Sequence, residues 1–335
     1  MASTEVSPTA TDGSPRARSL SARDPVLFAM LLGLTASLVY TASNSCLRAC
    51  TDLDPLFVSW AKALPLVAIY LPWWILRLRR GKEAIPPLRA IGILVIAGVI
   101  GQLGGNVLFQ WSLGVVGLAL SVAVCLASMT VSAAVLGKLF LGESVSPRTR
   151  VALVVIVTAV GVLFLGARAA PLAVGTHAAA EAMHPWAWAA AGTGAAFASG
   201  VAYTVLGTLI RKCVTGKTSV IGTLWVTGLT GAVVLGIGAS LRVSPAAVAS
   251  IEPSKWLWLL LAGLFNAIAF FALIRSLQLA PVVIVNAVNA SQSASAAVAG
   301  VLLFAEPLTP YLFAGIGLTA VGFLMLRPPG KAPKR

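Results

Sequence analysis

The sequence predicts an all-α integral membrane protein with ten transmembrane helices arranged as two inverted five-helix repeats. Three observations lead there. The chain carries too little charge for a water-facing surface. It contains ten apolar runs of bilayer length. Distinctive residues also recur at an offset of about 163 positions.

Charge comes first. Of 335 residues, 58% are hydrophobic and 10% are charged, and the mean hydropathy is +0.93. Soluble domains carry roughly 25% charged residues, because a surface facing water needs them however large the core. Lipid as the main solvent accounts for the deficit. The first 24 residues are rich in Ser, Thr, Ala and Pro and read as a disordered tail. They do not look like a secretory signal, since the apolar segment after them is too long.

Apolar runs lie near 25–48, 55–77, 88–111, 116–140, 148–167, 186–210, 218–241, 255–275, 281–304 and 309–327. Each approaches the roughly 20 residues that cross a bilayer core. Ser146-Pro147 and Thr309-Pro310 each read as an N-cap followed by proline at the first helical position. Seven of the nine Trp lie near run ends, where an amphipathic ring prefers to sit.

The net charge of +14 would suggest nucleic acid in a soluble protein. Here the basic residues fall between the apolar runs and report topology instead. With ten spans, alternate connections divide the Lys and Arg 19 to 4, which places both termini in the cytoplasm of a cell-membrane protein. One basic residue, Lys62, lies inside a span. Cys46, Cys50, Cys125 and Cys213 sit in or beside apolar stretches. No His group completes a metal set, so they read as buried thiols.

The repeat is carried by uncommon residues. At an offset of 163, Tyr40-Thr41 matches Tyr203-Thr204, Arg48 matches Arg211 and Cys50 matches Cys213. Glu143 matches Glu306, and Pro147 matches Pro310. Between them Trp111-Ser112-Leu113 aligns with Arg275-Ser276-Leu277 at 164, one residue of slippage. Five spans per unit is an odd number, so the second unit enters the membrane from the opposite side. Inverted repeats of this kind recur in secondary transporters, where two similar bundles alternately open a midplane site to either side. The resulting division is a tail at 1–24, a first repeat at 25–168, an external linker at 169–185, a second repeat at 186–328 and a basic tail at 329–335.

With these features in view, the chain resembles the drug/metabolite transporter superfamily, in its EamA-type branch. The resemblance rests on the two five-span units and on segments that close each fourth span, Leu141-Gly142-Glu143-Ser144 and Phe304-Ala305-Glu306-Pro307. Ala42-Ser43-Asn44 in the first span adds to it. Where the family often has an Arg-Phe pair in the second span, this chain has Lys62-Ala63. The resemblance implies a transporter fold and leaves the substrate open.

Several polar side chains fall within the spans. Lys62 lies seven residues into the second span, at a depth where a cation needs a partner or a cavity. It reads either as the countercharge of an anionic substrate group or as a snorkelling side chain. Gln102, Asn106 and Gln110 recur every fourth residue, which places them on one helical face. Asn286, Asn289 and Ser293 do the same in the ninth span, with Gln292 and Ser295 beside them. Amides in hydrocarbon need partners, supplied by a wet cavity or by neighbouring helices. Asn44, Tyr40, Tyr203 and Thr204 are further candidates. Glu143 and Glu306, at span ends, read as helix-end or loop-stabilising carboxylates.

The expected binding set is therefore Lys62, Asn44, Gln102, Asn106, Tyr203, Asn286, Asn289, Gln292 and Ser293. No cofactor, metal or catalytic residue is expected. No predicted span carries an acid at its middle, and no GxSxG, HExxH, CxxC or P-loop pattern occurs. The expected partners are a small polar metabolite and the bilayer, with no nucleic acid and an open question of homodimerisation. A membrane sensor that has lost transport is the alternative, and a membrane enzyme a more distant one.

Overall fold

The computed structural model describes residues 24–81, 86–141, 146–169, 184–214, 220–279, 288 and 291–325. Their secondary structure is helical throughout. In order it comprises α1 (Asp24–Arg48), α2 (Pro55–Arg79), α3 (Leu88–Val99), a π-helical segment (Ile100–Val107) and α4 (Leu108–Leu141). Then come α5 (Pro147–Ala169), α6 (Pro185–Val214), α7 (Val220–Arg242), the short α8 (Pro245–Ala249), α9 (Pro253–Leu279), α10 (Ser291–Phe304) and α11 (Pro310–Met325).

The helix starts are set by local chemistry. Asp54 Oδ1 accepts from the backbone N–H of Leu56 at 2.8 Å and of Phe57 at 3.3 Å, with Pro55 at the first helical position. Ser146 Oγ accepts from Thr149 N at 3.1 Å, and Thr309 Oγ1 from Leu312 N at 3.1 Å, ahead of Pro147 and Pro310. Each bond satisfies a donor that a helix N-terminus otherwise leaves open.

In α1 the usual polarity of an amphipathic helix is reversed. Leu27, Phe28, Leu31, Leu34 and Leu38 of α1 are exposed, while Ser37, Thr41, Ser43, Asn44 and Ser45 are buried. An exposed apolar face backed by a polar inner face suits a lipid solvent, while the core of the bundle as a whole remains largely apolar. Seven helical runs among the described residues are long and apolar enough to cross a membrane, and α10 and α11 are shorter apolar helices. One of the seven, Leu88–Leu136, is 49 residues long. It doubles back at Gly117, where φ is +83° and ψ is 177°. Ser112 Oγ and Ser121 Oγ lie 2.6 Å apart, whereas nine residues of continuous helix span about 13 Å.

Equivalent helices of the two repeats pack antiparallel. Along α2 and α7, Asp54 meets Arg242, Trp60 meets Gly236 and Leu66 meets Gly228. Along α5 and α11, Ile156 meets Gly322, Leu163 meets Gly315 and Gly166 meets Tyr311. Glycines let these helices approach closely where apolar driving force is weak. α1 packs against α9, with Ser276 Oγ donating to Ala29 O at 2.7 Å and Ser43 Oγ to Ala262 O at 2.8 Å. The repeat-related pairing is α6 against the π segment, where Leu206 and Tyr203 cover Gly101 and Gly105. Antiparallel packing of equivalent helices is the geometry that an inverted repeat requires.

Candidate functional site

The site forms where α2, the π segment, α7 and α9 converge. Lys62 lies about two turns into α2 and is 8% exposed. Pro65, three residues on, removes a backbone donor from the helix, and Gly263 of α9 seats against Pro65 and the Lys62 carbonyl. Lys62 Nζ donates to Asn106 Oδ1 at 3.0 Å. The same oxygen accepts from Tyr203 OH at 2.6 Å. Asn106 Nδ2 in turn donates to Gln102 Oε1. Gly105 has no side chain to obstruct the Tyr203 ring, which rests against it. Nor does Gly231 of α7, against which the Gln102 amide is seated.

These side chains border a cavity of about 40 Å³, lined by Lys62, Ala63, Leu66, Gln102, Asn106, Gly228 and Asn266. That volume holds a water or two and is smaller than a metabolite. Residues of both repeats contribute to it. Among the described residues Lys62 has no carboxylate partner, and two of its three ammonium donors are left for the cavity.

The structure brings together four of the expected residues: Lys62, Gln102, Asn106 and Tyr203. Asn44 is buried in α1 and does not line the cavity. Gln292 and Ser293 are buried in the first turn of α10 and do not line it, and Ser293 Oγ has no hydrogen-bond partner among the described residues. Asn286 and Asn289 lie outside the described residues, as does Glu143. Gln110 leaves the stripe that a 3.6-residue period assigns to it. The π segment ends three residues earlier, and its wider turn rotates the start of α4 relative to α3. Gln110 Nε2 donates instead to Leu47 O at 3.0 Å.

Asn266 joins the site without having been singled out from the sequence. A signal was present, because 266 − 102 = 164, the register that aligns Trp111-Ser112-Leu113 with Arg275-Ser276-Leu277. Asn266 is thus the repeat counterpart of Gln102, and both amides line one cavity. The counterpart of Lys62 is Trp225 (62 + 163 = 225), which stacks on Trp74 with ring centroids 4.1 Å apart. The cation is a feature of one repeat only.

A second buried charge centre lies at the end of the bundle where α1 and α10 finish. Arg48 Nε donates to Glu306 Oε1 at 3.1 Å, and its guanidinium lies over the Phe304 ring at 5.2 Å. Glu306 Oε1 also accepts from Leu118 N at 2.7 Å, and Oε2 from Ala119 N at 3.1 Å. The carboxylate therefore caps the helix that restarts after Gly117, a favourable place for a negative charge. Gly117 and Gly300 both have a missing Cβ where Glu306 sits. Arg242–Asp54 at 3.3 Å and Lys255–Asp52 at 2.7 Å tie the repeats together at this same end. Among the described residues, no group of three His, Cys, Asp or Glu is placed to hold a metal ion.

An apolar-skinned helical bundle of duplicated units, with a part-polar cavity lined by both, has the architecture of a multi-pass membrane carrier. The model of the EamA-like transporter family matches residues 25–165 and 190–327. The chain belongs to that family, whose members are membrane transporters of the drug/metabolite type. No curated protein matches the chain. A crystal structure described only as that of a protein resembles it with a TM-score of 0.57 and 16% identity, covering 89% of this chain and 95% of that one. This likeness supports the fold alone.

Proposed function

We propose that the protein is a secondary transporter of the cell membrane that moves a small polar metabolite, one bearing a negatively charged group, by alternating access. In this reading the chain crosses the membrane ten times with both termini in the cytoplasm. The doubled run through Gly117 supplies two crossings, and α10 and α11 belong to the last two. The repeats rock about the cavity between them, opening it to each side in turn. The observation that carries the reading is Lys62, a buried cation without a carboxylate partner among the described residues, facing a cavity built by both halves. The small volume would have to widen for a metabolite to enter, which is what the opening of one mouth provides.

Counterflow tests it. Protein reconstituted in liposomes and preloaded with an unlabelled carboxylate, amino acid or sugar should draw in the labelled compound transiently above equilibrium. A carrier does this, because one site returns loaded from each side. Saturable binding with no counterflow for any class would identify a sensor built on a transporter fold.

A further inference from the structure

The hydrogen bonds around Lys62 leave little freedom in how the amides face. An ammonium only donates, so the Asn106 atom that meets Lys62 Nζ must be its oxygen. Tyr203 OH donates to that oxygen as well. Asn106 therefore turns its NH2 to Gln102, and the Gln102 atom that receives it must be the carbonyl oxygen. What Gln102 has left is its own NH2 group, for which no protein acceptor is found among the described residues. The donor-only character of Lys62 is thus passed through Asn106 to Gln102. Within this relay Asn106 Oδ1 accepts twice and Gln102 Oε1 once.

The cavity is lined by Lys62, with two ammonium donors in hand, and by Gln102, whose amide donors have no other acceptor among the described residues. Asn266 adds one amide of either sense. Among the described residues no carboxylate lines the cavity, and Ala63, Leu66 and Gly228 complete the wall. A ligand with acceptor oxygens and negative charge fills such donors. A ligand ammonium finds no anionic partner and sits against the like charge of Lys62.

The geometry points to a site for an oxyanion, a carboxylate or a phosphate ester, that selects against the matching zwitterion. Lys62 and Gln102 contact the anionic group, and Asn106 and Tyr203 are positioning residues that hold both donors toward it. This inference rests on the transport reading and sharpens its substrate class. It is also specific to this chain, since it depends on Lys62 and on the direction of one hydrogen-bond relay.

The test uses matched pairs that differ by a hydroxyl or hydrogen against an ammonium: lactate with alanine, succinate with aspartate, phenyllactate with phenylalanine, and 2-hydroxyethyl phosphate with phosphoethanolamine. Thermal stabilisation of the purified full chain is measured for each compound, because a ligand of the native state raises the melting temperature by mass action. At least one anion should bind tighter than its zwitterionic partner by roughly a hundredfold. Asn106→Asp gives Lys62 an internal counterion and should abolish anion binding without unfolding the protein. Gln102→Glu places a carboxylate where the amide donor stood and should shift the preference toward the zwitterion. If one of the two variants fails to fold, the selectivity of the other decides.

Equal or tighter binding of the zwitterions overturns the inference. So does the absence of a shift for every anion, or unchanged selectivity in the folded variants. The two levels fail separately. Counterflow of a sugar or amino acid with no anion binding leaves a transporter of another specificity. Binding of an anion without counterflow of any compound leaves the site and removes the transport.

Discussion

Arg48 and Lys62 are almost equally buried, at 9% and 8% exposure, yet their surroundings are opposite. Arg48 has a carboxylate, an aromatic face and the Thr51 hydroxyl around it. Its partner Glu306 is further held by two backbone N–H groups. Every charge at that centre is answered from within the chain. Among the described residues Lys62 meets one neutral oxygen, already shared with Tyr203. Burial of a cation alone therefore does not mark a functional site. The missing countercharge does, because the protein bears the desolvation of that cation without a permanent partner.

The largest effect should come from breaking the satisfied centre. Glu306→Ala leaves Arg48 buried without its counterion and strips the caps from Leu118 and Ala119. A loss of about 3–5 kcal/mol is expected, read as a large fall in melting temperature in detergent. If stability is unchanged, the two centres do not differ as described. Next is Gly117→Ala, which forces a side chain into a left-handed φ of +83° and against the Glu306 carboxylate. It should cost about 1–3 kcal/mol by the same readout.

Lys62→Met should act with the opposite sign. An apolar side chain of similar length removes an unanswered buried charge, and a gain of roughly 1 kcal/mol or more is expected. A fall in melting temperature as deep as that of Glu306→Ala would make Lys62 structural. The smallest effect belongs to Arg242→Ala. The arginine side chain is 67% exposed in its pair with Asp54, so the change should stay below about 1 kcal/mol. This variant calibrates how much a rim ion pair contributes beside the buried one.

The same contrast separates what the sequence made legible from what it did not. The membrane-type composition and the duplication could be read because lipid imposes one compositional rule along the whole chain, and the matches at 163 involve uncommon residues. Lys62 stood out for the same reason, a charge where hydrocarbon forbids an unanswered one. The role of Glu306 was legible only as a span-end carboxylate. Its partners at Arg48 and at Leu118 and Ala119 are 258, 188 and 187 residues away, and no local pattern names them. Gln110 was misplaced because a regular helical period does not survive the π segment at Ile100–Val107. Asn266 was legible in the 164 register, but no amide lies three or four residues from it in α9, so it lacks the stripe that drew attention to Gln102 and Asn106. The relay that orients Gln102 depends on atoms rather than residue types, and only geometry supplies it.

The central claim is that Lys62 is unpaired because the substrate pairs it. The most direct measurement is the melting temperature of wild type and Lys62→Met side by side, with and without each anion of the matched set. The account predicts a variant at least as stable as wild type without ligand and no longer stabilised by any anion that stabilises wild type. A variant stabilised by those anions as strongly as wild type would contradict it, and would leave Lys62 as a buried charge with no part in binding.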